Sequence, residues 1–255
     1  MKVGLIGAGN MATALARGFV REPDGPELFV SDAEPERATA LAHAVEGMAL
    51  DSNAAVRDAS DLVILCHKPA QLGEVAAELE GRAPALASIL WGTTTAELEA
   101  AYPESAVYRF MPNLAAELGQ GVLCFTPGTR AGEGPEAEVM ALFDRAGTVV
   151  PLAEELVDAA GALSACGPAF FALAAEALAE AGARRGLSSR DASLLASHTL
   201  AGAGGLLQAS DGDTAGLQSR VATPGGVTAR GLEALERHEL RAAFEDAVAA
   251  VMGAE

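Results

Sequence analysis

Apolar and polar positions along the chain fall into two regimes that meet near residue 150. Before it, short aliphatic runs alternate with stretches of helical spacing. Strands are predicted over Lys2–Ile6, Leu28–Ser31, Asp61–Cys66, Ala87–Trp91, Ala106–Phe110, Gly121–Phe125 and Thr148–Val150. Helices are predicted between them, over Asn10–Arg21, Pro35–Ala44, Pro69–Glu80 and Glu136–Ala146. The run DLVILC at 61–66 is continuously apolar, as a strand covered on both faces must be. Strands alternating with helices imply an α/β unit with a doubly wound parallel sheet.

After Pro151 almost no β-branched run remains. Ala/Leu stretches with helical spacing cover Leu156–Ala165, Pro168–Arg185, Arg190–Ala209, Thr228–Leu235 and Leu240–Met252. The expected organisation is therefore a sheet domain over 1–150 and an all-helical domain over 151–255. The helices are rich in small residues, and such faces often meet a second copy of themselves. A homodimer or higher homo-oligomer through the helical domain is expected.

Composition narrows the function. The 255 residues carry 35 acids against 17 bases, a formal net charge of -18. A surface this acidic repels nucleic acid and anionic lipid. It would also repel a phosphate-bearing cofactor, so any anion site must be built locally. Cys66, Cys124 and Cys166, like the four histidines, are scattered, with neither disulfide nor metal-ligand spacing. No metal site and, lacking an uninterrupted apolar run of membrane length, no membrane span is expected. The chain opens directly on a strand, and a cytoplasmic location is the default expectation.

Six motifs carry candidate chemistry. Gly7-Ala8-Gly9-Asn10-Met11-Ala12 follows a strand and opens a helix. In that context Gly7 allows a tight turn, Gly9 lets the backbone approach a pyrophosphate, and Ala12 lets helix and strand pack closely. The helix N-terminus supplies N–H donors, which answers the problem of the acidic surface. At the end of the second strand, Ser31 and Asp32 stand where a dinucleotide's ribose is read. Asp32 would accept from the 2′-OH of NADH, or else cap the next helix. Ser31 could bond a phosphate, and Arg37 is near in sequence.

Cys66-His67-Lys68-Pro69 follows the most apolar strand, where ligands of such sheets sit; the alternative is a simple strand stop. Asn113, in Arg109-Phe110-Met111-Pro112-Asn113, would hold the nicotinamide or the substrate, or be an ordinary turn residue. Cys166, in the segment 164–170, is a nucleophile or a small packing residue, and no histidine is near it in sequence. Thr223-Pro224-Gly225-Gly226-Val227-Thr228 pairs glycines with hydroxyls before a helix, which suits a small carboxylate. The alternative is a plain loop with Thr228 as the N-cap.

Taken in order, GLIGAGNMATALARGF, DLVILCHKPAQL, RFMPN, EELVDAAGALSACGPAFF and VATPGGVTARGLEALE resemble pyrroline-5-carboxylate reductase, from Val3 nearly to the C-terminus. The glycine fingerprint is shared with many dehydrogenases; the GPAF and TPGGVT pieces are more specific. The resemblance implies a Rossmann-type domain, then a helical domain that intertwines with a partner subunit. It implies hydride transfer from NADPH or NADH to the C=N of a cyclic imino acid, giving L-proline. By position, Ile6, Gly7, Ala8, Gly9, Asn10, Met11, Asn53, Cys66, His67, Lys68, Pro69, Ile89, Leu90 and Trp91 match its cofactor contacts. Glu154, Asp211, Val227 and Thr228 match its substrate contacts, with Gly225 and Gly226 in the same bend. The substrate carboxylate would rest on the N–H groups of Gly226, Val227 and Thr228, the Thr228 hydroxyl assisting. No obligate general acid is implied, and the long helix from Pro168 has no lysine, which favours an imine over an alcohol.

The chain departs from the family pattern at several points. Ser164-Ala165-Cys166-Gly167-Pro168-Ala169-Phe170 stands for Ser-Gly-Ser-Gly-Pro-Ala-Tyr, Gly161 for a threonine, and Leu90-Trp91-Gly92 for Ala-Ala-Gly. Gln218-Ser219 stands for the usual Arg-Asp. The alternative functions are a non-catalytic dinucleotide-binding homologue and a reductase of a different cyclic imine.

Overall fold

The computed structural model describes residues 1–253. The chain divides into two compact units, the first ending at Cys166 and the second beginning at Gly167. The division falls later than the expected boundary at 150. Its cause is the helix Val157–Ser164, whose Val157 is buried with Met111 and Cys124 of the sheet.

The first unit is an eight-stranded sheet, ordered β3-β2-β1-β4-β5-β6-β7-β8. The strands are β1 (Lys2–Ile6), β2 (Glu27–Ser31), β3 (Met48–Ala49), β4 (Leu62–Leu65), β5 (Leu86–Ser88), β6 (Val107–Met111), β7 (Gly121–Pro127) and β8 (Gly147–Pro151). Helices α1 (Asn10–Val20), α2 (Pro35–Ala44), α3 (Asn53–Ala59), α4 (Leu72–Glu78), α5 (Thr95–Ala101), α6 (Glu136–Asp144) and α7 (Val157–Ser164) connect them. The order reverses between β1 and β4, which is the switch point of a doubly wound sheet.

All neighbours run parallel except β6 and β7, which are antiparallel. The link over 112–120 holds only a short 3-10 turn, Leu114–Leu118. A parallel crossover needs about a dozen residues or more, so the chain can only turn back. Two apolar layers hold the sheet. One gathers Leu5, Leu15, Phe19, Ile64, Phe110 and Phe143; the other Ile6, Val56, Leu65, Leu86, Leu98 and Tyr102. Phe110 stacks between Phe125 and Phe143, with centroids 4.9 and 3.6 Å away.

The second unit is helical throughout: α8 (Gly167–Ala183), α9 (Ser189–Gln208), α10 (Thr214–Val221), α11 (Val227–Arg237) and α12 (Leu240–Met252). Gly186, at φ +100°, ends the segment after α8, and Ser188 caps α9 by accepting from Asp191 N–H. Among the described residues of this unit only small ones are buried, namely Gly167, Ala192 and Ala196. Leu173, Leu178, Leu194, Leu195 and Val227 stand exposed, the last at 76 %. By length and composition the stretch 154–183 also passes for a membrane-spanning helix. Glu154, Glu155 and Asp158 interrupt it, so it is not a continuous apolar run.

Candidate functional site

In the first unit a cleft of about 360 Å³ opens at the carboxyl edge of β2, β1 and β4. Ile6, Gly7, Gly9, Asp32, Asn53, Cys66, His67 and Lys68 line it, joined by Ala33, Glu34, Arg37, Gln71 and Val75. The sheet order brings together three motifs that begin at Gly7, Ser31 and Cys66, 24 to 59 residues apart in sequence.

The glycine turn is built as its chemistry requires. Gly7 has φ +104°, and a Cβ there would lie 2.8 Å from the Cys66 carbonyl and 2.9 Å from His67 N. Only glycine lets β1 turn this close to the β4 edge. Gly9 caps α1 with no side-chain bond, and the first turn of α1 holds no acid. A Cβ on Gly9 would meet only Arg37 Nη2, at 3.7 Å. Gly7 N–H is spent on Ser31 O and Ala8 N–H on the Asp32 carboxylate, but the space beside Gly9 stays open. Ala12 is buried under the sheet, as the third slot of the motif demands.

Asp32 does not cap the next helix, whose N-cap is Glu34, without a side-chain bond. Its Oδ1 accepts from Glu34 N–H at 2.9 Å, and its Oδ2 from Ala8 N–H at 2.6 Å. It thus ties the second strand end to the glycine turn while still lining the cleft. Arg37 reaches the same cleft and pairs with Glu34 at 3.4 Å. With Lys68 it supplies the cationic side chains of the lining. Local cations and free N–H groups are what an anion needs on so acidic a chain.

His67 Nδ1 lies 2.9 Å from the Lys68 carbonyl, so Nδ1 carries the proton and donates. Burial holds its pKa below the ordinary histidine value. Burial also drives the Cys66 thiol far up, and its Sγ donates to Ile64 O, so Cys66 is a packing group and not a nucleophile. Lys68 N–H donates to Gln71 Oε1, closing the turn Pro69–Gln71.

Several expected contacts lie elsewhere. Ser31 is buried and donates to Asn53 Oδ1 at 2.6 Å, so it stands behind the lining and orients Asn53. Leu90 faces the core. Asn113 is 8 % exposed; its amide donates to Ser164 O and accepts from Val122 N–H. With one bond at each end, Asn113 ties the β6–β7 turn to α7. Glu154 Oε1 accepts from Arg109 and from Thr95 N–H. Trp91 lies three residues past the end of β5 and keeps 37 % exposure.

In the second unit Asp211 sits at φ +50° between α9 and α10. Gly225 has φ +71°, and Gly226 is the N-cap of α11, without a side-chain bond. Thr228 is therefore inside the first turn of α11, not its cap. Gly226 N–H donates to Thr223 O at 2.9 Å, so it is not available to a carboxylate. The N–H groups of Val227 and Thr228 remain as the first-turn donors.

Two family descriptions match the chain. Residues 2–90 match NADP oxidoreductase, coenzyme F420-dependent, and residues 154–254 match pyrroline-5-carboxylate reductase dimerisation. A pyrroline-5-carboxylate reductase of Synechocystis sp. is 33 % identical over 98 % of this chain and 95 % of its own length. Pyrroline-5-carboxylate reductase 3 of Danio rerio is 35 % identical over 98 % and 88 %. Among solved structures, the Streptococcus pyogenes enzyme superposes with TM-score 0.88 at 29 % identity, covering 99 % of this chain and 97 % of that one. The Plasmodium falciparum enzyme with NADP bound gives 0.86 at 27 %, covering 98 % and 95 %. A glycine turn of this geometry would fit many dehydrogenases, but likeness over the whole length, helical unit included, is narrower: the chain belongs to the pyrroline-5-carboxylate reductase family.

Proposed function

We propose that this chain reduces 1-pyrroline-5-carboxylate to L-proline with NADPH or NADH. One observation carries the cofactor half of the reading. The turn at Gly7 closes on Cys66 while Gly9 stays open beside Arg37, a cradle that side chains at those positions would fill. The residues fit a dinucleotide: Gly9 and the first turn of α1 for the pyrophosphate, Asp32 or Arg37 for the adenosine ribose, Asn53 and Lys68 along the rim. When bound, the reduced nicotinamide supplies a hydride to the imine carbon.

The chain's own residues bind and orient. The turn 223–228 would take the substrate carboxylate on the N–H groups of Val227 and Thr228, the Thr228 hydroxyl adding a donor. Gly225, in a left-handed conformation, lets the chain bend sharply enough to present them. Asp211 lies in the neighbouring bend between α9 and α10. The imine nitrogen arrives protonated, so its reduction needs no acid from the protein; rate comes from orientation and fixed dipoles. The exposed leucines of the helical unit are the surface a second copy covers, and the protein works as a cytoplasmic homo-oligomer.

The test is initial rates of NADPH and NADH consumption with 1-pyrroline-5-carboxylate and with 3-hydroxy acids. Turnover of the imine is expected. Activity confined to hydroxy acids would refute the reading, and tight dinucleotide binding with no turnover of any imine would mark a binding homologue instead.

A further inference from the structure

The carboxyl edge of the sheet reads, in spatial order, Asp32 after β2, the Gly7–Gly9 turn after β1, Cys66–Lys68 after β4, and Trp91 after β5. A dinucleotide whose adenosine end lies at Asp32 therefore extends its other end toward Trp91. Trp91 is the only tryptophan of the chain. Its place is fixed by a complementary absence. A Cβ at Gly161 of α7 would lie 2.6 Å from Trp91 Cζ3, 2.9 Å from Cη2 and 3.2 Å from Met111 Cγ. The indole thus occupies space that any side chain at 161 would claim. The tip of the indole therefore rests against α7 at Gly161, while the residue keeps 37 % exposure.

We propose that Trp91 is a specificity-determining residue: seated in the notch left by Gly161, its indole walls the β5 end of the cofactor cleft and sets the ring size of the imine reduced there. The inference rests on the reductase reading above. The chemistry suits the place. An aromatic face attracts a small protonated imine through its quadrupole, and an indole seated against α7 leaves less room for a larger ring. One methylene against an apolar wall changes selectivity by about tenfold or more.

Two measurements test it. The first is tryptophan emission on adding the oxidised dinucleotide, which does not absorb indole emission and quenches it only by close approach of the nicotinamide. Quenching is expected with NADP⁺, and none with adenosine 2′,5′-bisphosphate, which fills only the adenosine end. The second is the kcat/KM ratio of six-membered to five-membered cyclic imino acids in Trp91→Ala and Gly161→Thr. Removing the indole, or driving it from its notch, is expected to raise that ratio by about tenfold. Calorimetry establishes binding independently. If NADP⁺ binds but leaves emission unchanged, or if both variants keep the wild-type ratio, the role of Trp91 is overturned while the reductase reading stands. If no dinucleotide binds, both fall.

Discussion

The Arg109 guanidinium, 2 % exposed in β6, grips Glu154 at the start of the turn into α7, and its second amino group reaches Asp158 at 3.1 Å. Glu154 also accepts from Thr95 N–H, so one carboxylate joins β6, α5 and the segment leading into α7. Removing one partner of a buried pair strands the other's charge, which costs more than the pair contributes. Arg109→Met is expected to lower the unfolding free energy by about 3 kcal/mol. Glu154→Gln, which still accepts from both donors, should cost about 1 kcal/mol. Urea denaturation measures both. If Glu154→Gln instead leaves stability intact and raises only the KM of the imine, Glu154 is a substrate ligand as the resemblance implied.

Gly7 and Gly9 make a contrasting pair. A Cβ on Gly7 meets backbone at 2.8 Å with φ at +104°, so nothing can yield. Gly7→Ala should cost about 1–3 kcal/mol of stability and weaken cofactor binding as well. Gly9 has no such crowding, so Gly9→Ala should melt like the wild type while raising the KM for the dinucleotide. Thermal melts alongside cofactor titrations separate the two. Equal stability losses in both variants would mean that Gly9 serves the fold, not the cofactor.

Arg37 is the residue whose replacement tests the nucleotide question that Asp32 leaves open. Both oxygens of Asp32 already accept backbone N–H groups, which weakens its repulsion of a phosphate. Arg37 is the cation beside it, and its pairing with Glu34 is loose and exposed. Arg37→Ala is expected to raise the KM for NADPH by about tenfold, the worth of one charge-assisted hydrogen bond, and to leave that for NADH nearly unmoved. A rise shared equally by both cofactors would put Arg37 on the pyrophosphate.

What the sequence disclosed follows from how local each signal is. The glycine turn, the strand DLVILC and the apolar helices announce themselves within a few residues, and the first core is built from them. Helix α5 is not among the predicted elements, although Thr94 and Glu97 spell a capping box that the structure forms in full. The two-residue edge strand β3 carries no local signal, and neither does the antiparallel direction of β7, a strand expected over Gly121–Phe125; the one depends on pairing with β2, the other on a short link. Asn113 and Ser31 looked like ligands because they sit at strand ends. Their partners, Ser164 and Asn53, are 51 and 22 residues away, and only folding reveals those bonds. The same holds for Trp91 and Gly161: each is odd in sequence, and their fit to one another exists only in space.

His67 gives the cleft a pH dependence whose sign can be worked out. Its Nδ1 proton goes to the Lys68 carbonyl, and its Nε2 is buried with no hydrogen-bond partner. Protonating Nε2 would place a charged N–H where no acceptor stands, and burial is the main cause that lowers the pKa from 6.5. The unfolded chain therefore takes up this proton at a higher pH than the folded chain does. Stability is present above about pH 6.5 and is lost as the pH falls from there through the lowered folded value. His67→Leu removes the group. The wild type should lose more stability than this variant between about pH 7 and about pH 5.5, measured by urea denaturation at each pH. Parallel curves for the two proteins across that window would show that the imidazole is protonated freely in the folded state.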